Sequence, residues 1–224
     1  MNISRREELM EAAVSYARAG LFVVPLHWVR EDGSCSCASN DCEKSAGKHP
    51  IPFDGFQSAD NDEHRVRQFW RAHPDANIGI RTGQDSGIFV VDVDPGNGGN
   101  ESFSQLESEI CRLPETLKVD TGGGGRHFYF KCPTFPFRNT AGKLPGIDTR
   151  GDGGMIVAPP SNHRSGRKYE WSAETPFDTA RISEAPEVLV NWFRSARTDS
   201  RSGGRQTGPD RFLICERPGT RSCA

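Results

Sequence analysis

No apolar run in the 224-residue chain approaches the roughly 20 residues that cross a bilayer. A membrane-spanning helix is therefore excluded. The N-terminal stretch MNISRREELMEAAVSYARAG also lacks the apolar centre of a signal peptide, and a cytoplasmic protein with no membrane partner is expected. An excess of basic charge is missing too. The 28 Lys and Arg are set against 30 Asp and Glu, for a net charge of −2. That rules out a uniformly basic nucleic-acid binder, so any such binding has to come from a local patch. No segment is repeated. Cysteine is sparse and odd in number at seven, and three of the seven fall within residues 35–42. In a reducing compartment that crowding favours a metal over disulfides.

What is present describes a globular protein with long polar loops: 34% hydrophobic and 26% charged residues. The 24 Gly and 15 Pro argue for many turns rather than a helical bundle. The length suffices for one domain with a proper core, with or without appendages. Ser4 and Glu7 form a capping box, and a helical stripe from Leu9 to Ala17 ends at Gly20. A strand is expected at 21–28, followed by a polar, Cys-rich loop of about 33–50. Further helices are expected at 61–74, 100–114 and 185–194. Strands are expected at 77–83, 86–94, 116–121, 126–131 and 167–171. Residues 146–160 read as two short strands around a glycine turn, with Asp152 as a turn residue. The structured unit then runs over 1–195. Residues 196–224, rich in Ser, Gly and Arg, read as a linker or tail. A chain that ends in a linker reads as a piece of something longer.

The segment GIFVVDVDPGNGG, residues 87–99, places two carboxylates at the end of an apolar strand. In a strand, residues i and i+2 point the same way, about 6.5–7 Å apart. Asp92 and Asp94 in that relation repel unless a cation lies between them or one is protonated. Two dications about 3.5–4 Å apart and clamped by carboxylates form one site for in-line attack on a nucleotide phosphate. The plainer alternative is that one Asp caps a turn and the other is solvated. Asp148 is a third acid at a strand-like position. His127 stands where the loop GGGG enters a strand, beside Arg126. Glycine backbone can approach a phosphate closely, although such a loop can equally be a plain hairpin.

The segment CSCASNDCEKSAGKHP offers Cys35, Cys37, Cys42 and His49, enough for a tetrahedral Zn²⁺ site. Free thiols or another ligand set are the alternatives. From Arg126 to Glu170 there are eight Arg or Lys against three Asp or Glu, with aromatic residues interleaved. That mixture suits the path of a nucleic-acid strand or a triphosphate, or else a set of strand-core aromatics.

The order VVDVD, then GGRHFYF, then GIDTRGDGGMIVAPPSNHRSGRKYEW, with NIGIRTG ahead of it, resembles the bifunctional primase–polymerase domain of the archaeo-eukaryotic primase superfamily. The resemblance spans about residues 7–195. It implies an α/β (α+β) fold with a mixed central sheet in two lobes around the acidic strand, plus a small zinc-binding insertion. It implies that Asp92, Asp94 and Asp148 bind two catalytic Mg²⁺ or Mn²⁺ ions. His127 would bind the phosphates of an incoming NTP or dNTP, helped by Arg126, Arg150, Ser161 and His163. Gly125 fills a position where the family pattern admits Ser, so one hydroxyl is missing. The expected activity is nucleotidyl transfer to a primer on single-stranded DNA, for replication of a mobile element, with a helicase as a partner. A replication-initiator module without useful turnover, or a metal-dependent nuclease, are the other readings.

Overall fold

The computed structural model describes residues 4–39, 42 and 45–195. The expected tail at 196–224 lies outside them. The described residues form an α+β architecture of two sheets and four α-helices. Helix α1, Arg5–Arg18, starts at the capping box: Ser4 Oγ accepts from Glu7 N, and Glu7 reaches back to Ser4 N. Its buried side, including Leu9, Ala13 and Tyr16, packs on helix α2, Glu63–Ala72, whose own inner face is Val66 and Trp70. Ion pairs Arg18–Glu63 and Arg67–Glu11 tie the two helices at the surface. Exposed pairs of that kind contribute little beyond orientation.

Three strands form the first sheet in the order β1 (Val23–Leu26), β2 (Asn77–Arg81), β8 (Met155–Ala158). The second sheet holds the other six: β6 (Thr140–Leu144), β7 (Ile147–Arg150), β3 (Ile88–Val93), β5 (Arg126–Lys131), β4 (Lys118–Asp120) and β9 (Glu170–Trp171), in that spatial order. Every ladder between these strands is antiparallel. The mixed sheet expected from the sequence is thus corrected, and the reason is topological. β3 and β4 run the same way and are joined through helix α3, Gly99–Glu109. The β4–β5 hairpin, however, inserts β5 between them, giving a split βαβ unit. β6, in a stretch where the sequence leads to no expected strand, is an edge strand paired with β7. The two strands expected in 146–160 do form, but they join different sheets. The turn between them, at Asp152, carries the chain from one sheet to the other. The Asp152 carboxylate accepts from Phe137 N and Gln84 N there, which makes it the turn residue expected.

Alternation along β3 and β5 divides the core. Val90 and Tyr129 face the three-stranded sheet and the α1–α2 layer. Phe89, Val91, Val93, Phe128 and Phe130 face the other way, against α3 and helix α4, Glu187–Arg194. Most of the aromatics interleaved with basic residues are core: Phe128, Tyr129, Phe137 and Tyr169 are buried. No helix among the described residues is long and apolar enough to cross a membrane.

Candidate active site

A cleft of about 400 Å³ opens between the two sheets. Strand ends of the six-stranded sheet form one wall, with Asp92, Asp94, His127 and Arg150. Residues 155–157 of β8, Lys48 and His163 close the other. The register decides who meets whom. Asp92 is paired with His127 on β5 and with Asp148 on β7, so three polar side chains stand in one row on one face. Arg150, two residues beyond Asp148, shares that face. Its Nη2 is 3.0 Å from Asp148 Oδ2 and 3.9 Å from Asp92 Oδ2.

Asp94 arrives differently. β3 ends at Val93, and Asp94 caps a 3₁₀ turn, Pro95–Asn97. Its carboxylate accepts from Gly96 N at 2.9 Å and from Asn97 Nδ2 at 2.6 Å, yet the residue still lines the cleft. Each oxygen keeps a further lone pair, so capping does not exhaust it. Two glycines lock this corner. A Cβ on Gly146, whose φ is +67°, would lie 2.5 Å from the Asp94 carbonyl oxygen, and one on Gly99 would lie 2.6 Å from it. The backbone closes only because neither residue has a side chain.

The electrostatics follow from this crowding. Burial raises the Asp148 carboxyl above its ordinary range. The Arg150 charge opposes that, and the charges of Asp92 and Asp94 add to it. Asp92 and Asp94 therefore lie within electrostatic reach of Asp148, but among the described residues only the Cys3His cluster brings three or more metal-ligand atoms within 4.8 Å of one another. His127 is buried, and burial lowers its basicity despite the neighbouring Asp92. Its Nε2 is 3.5 Å from Asp92 Oδ1, and its Nδ1 has no partner. The residue lines the cleft, but the unpartnered Nδ1 is itself enclosed by protein.

His163 presents a second neutral imidazole. Burial, then the charges of Lys48, Arg164 and Arg167, lower its pKa to about 4. The backbone N–H of Ser165 donates to its Nδ1, which puts the ring proton on Nε2. The ring therefore serves the cleft as an N–H donor without a full charge. A test in solution follows. The unfolded histidine binds its proton near pH 6.5, whereas the folded one resists protonation down to about pH 4. Its contribution to stability is thus complete above pH 6.5 and is lost as the pH falls from there to about 4. Urea midpoints measured across that window are expected to drop less steeply for His163→Asn than for the unsubstituted protein. Equal slopes would refute the assignment.

Not all the expected residues meet. Arg126 precedes His127 in the same strand and so projects from the opposite face, where its guanidinium lies 4.7 Å from the Phe103 ring centroid and 5.5 Å from that of Phe128. Ser161 is fully buried, and its Oγ accepts from Ile78 N. Neither lines the cleft, and Asp148, one strand out from Asp92, does not line it either. Two residues not singled out from the sequence do: Lys48 and Thr121. The Thr121 hydroxyl accepts from Gly125 N, beside the position that lacks a serine. Its place in a strand-to-hairpin turn gave no signal of its own in the sequence.

The ligand atoms of Cys35, Cys37, Cys42 and His49 all lie within 4.8 Å of one another. His49 Nε2 is 3.0 Å from Cys42 Sγ and 3.4 Å from Cys35 Sγ. Burial raises the Cys35 thiol, but backbone N–H groups of Cys37 and Gly47 outweigh it and bring it down to about 6. Burial, with the neighbouring thiols, instead pushes the Cys42 thiol up to about 11, and three sulfurs and an imidazole gathered this closely are compatible with zinc.

Carboxylates and the Arg150 guanidinium on one wall of the cleft thus face Lys48 and the neutral His163 on the other. The family model for the N-terminal domain of bifunctional DNA primase/polymerases matches residues 13–188, and the chain belongs to that family. A search of the curated proteins found no match.

Proposed function

We propose that the chain is a template-directed nucleotidyltransferase that adds NTPs or dNTPs to a primer on single-stranded DNA. The observation that carries this reading is the row Asp148–Asp92–His127 across three adjacent strands, of which Asp92 and His127 line the cleft. Asp92, Asp94 and Asp148 would hold the divalent cations. Such ions, when bound, lower the pKa of an attacking 3′-hydroxyl and neutralise charge on the triphosphate.

The protein's own contribution is placement. Arg150 spans Asp92 and Asp148 and keeps the carboxylates together despite their repulsion. His127, on the cleft wall beside Asp92, and the His163 ring N–H supply neutral contacts to phosphate oxygens, with the Thr121 hydroxyl beside them. Glycines 123 and 125, on the cleft wall, let the backbone come close to the phosphates. Arg126 and Ser161 support the site indirectly: the first clamps α3 to the sheet through Phe103, and the second caps β2. The Cys3His loop is a structural zinc insertion. Replication of a mobile element, with a helicase as partner, is the setting this activity suits.

Primer extension tests the proposal. With a labelled primer on single-stranded template, Mn²⁺ or Mg²⁺, and dNTPs or NTPs, stepwise lengthening is expected. Shortening of the primer without addition would mark a nuclease instead, and binding without lengthening would mark an initiator module.

A further inference from the structure

Two cationic side chains line the cleft, Lys48 and Arg150. Arg150 is committed to Asp148 and Asp92. Lys48 pairs with no carboxylate among the described residues, although its charge reaches both His127 and His163 and depresses the basicity of each. A half-buried lysine on the cleft wall with no carboxylate partner leaves its ammonium available to an anionic ligand.

How Lys48 gets there is the second observation. It directly precedes His49, whose imidazole points to the Cys35 and Cys42 sulfurs, so adjacent residues serve the Cys3His cluster and the cleft. Both flanks are pinned. His27 N donates to the His49 carbonyl, and Ile51 N to that of Pro25. On the other side the fully buried Asn77 donates its Nδ2 to the Gly47 carbonyl. The same Nδ2 donates to the Asn162 carbonyl, and Asn77 Oδ1 accepts from Asn162 N. One buried amide thus holds the residues that directly precede Lys48 and His163. The cluster and Asn77 act as two supports for the one wall that carries Lys48 and His163.

We infer that Lys48 binds the triphosphate of the incoming nucleotide, and that the metal held by Cys35, Cys37, Cys42 and His49 sets that affinity by fixing Lys48 over the cleft. This deepens the nucleotidyltransferase reading and rests on it. The coupling is reciprocal: a metal that strengthens nucleotide binding is itself retained more firmly when nucleotide is bound.

The experiment uses the full chain and two readouts other than turnover. Titration with a fluorescent dATP analogue in Mg²⁺ is expected to show affinity falling about tenfold or more in Lys48→Gln and staying within about threefold in Lys48→Arg, as for loss or retention of one charge-assisted contact. Extraction of zinc by a chelating dye is expected to slow with saturating dATP in the unsubstituted protein and to be indifferent to dATP in Lys48→Gln. Single-stranded DNA binding, followed by anisotropy, is expected to be equal in all three proteins. Unchanged dATP affinity in Lys48→Gln overturns the inference and leaves the functional reading standing. A loss confined to DNA binding overturns it too, by giving Lys48 to the template. Zinc extraction insensitive to dATP in the unsubstituted protein removes the coupling. No dATP binding by the unsubstituted protein overturns both the inference and the reading beneath it.

Discussion

Asp92→Asn is expected to give a folded protein whose nucleotide incorporation falls by at least about 10³-fold, since a positioned charge in phosphoryl transfer contributes several kcal/mol. The residue is half-buried and central to its row: Asp148 lies beside it on β7 and His127 on β5. Asn keeps the shape and removes the charge. Stability is expected to move the other way. Asp92 is one of the charges that hold the Asp148 carboxyl above its ordinary range. Removing it relieves that repulsion, while Arg150 keeps its 3.0 Å contact with Asp148. The melting temperature is therefore expected to hold or rise while activity disappears, the trade expected where like charges are gathered for function. Labelled-nucleotide incorporation alongside thermal unfolding checks both halves. Incorporation within tenfold of the unsubstituted protein would end the assignment of Asp92. Lost activity with a large drop in melting temperature would show that Asp92 acts through folding.

The second large effect concerns Gly125→Ser. Supplying the hydroxyl that the family pattern admits here is expected to damage the site. A Cβ at this position would collide with the Val93 carbonyl oxygen and press to 3.2 Å from Pro95 Cδ and Thr121 Oγ1. The obstacle is backbone, in the peptide between Asp92 and Asp94, so no rotamer avoids it. Overpacking of this kind costs about 1–3 kcal/mol. The strand that yields is the one bearing the carboxylates. A displacement of about 1 Å at a reacting centre costs roughly 10² in rate, so incorporation is expected to fall by about that factor with a lower urea midpoint. Extension at or above the rate of the unsubstituted protein would show that the loop accommodates a side chain, and that Gly125 is a relaxed position.

The elements themselves were legible because their causes are local. The capping box at Ser4, the apolar alternation of β3, and the Cys spacing before His49 each act within a few residues. The strand ends were less so. β3 stops at Val93 because Asp94 takes the backbone and side-chain N–H groups of the following turn, which is the alternative reading of an Asp-x-Asp pair. Arg126 shows a signal that was present but outweighed by its charge. Consecutive strand residues face opposite ways, and with His127 on the cleft face Arg126 had to lie on the other.

By itself the sequence determined which residue types were available: three carboxylates, a glycine hairpin, and four soft or imidazole donors in one loop. Their convergence was decided only by the tertiary structure. Strand register is a long-range property, and a slip of one residue would have turned Asp148 away from Asp92. The insertion of β5 between β3 and β4, the neutrality of His163 and the delivery of Lys48 to the cleft all arise from pairings between segments far apart in the chain. No local pattern encodes those distances, because they exist only once the two sheets have closed on each other.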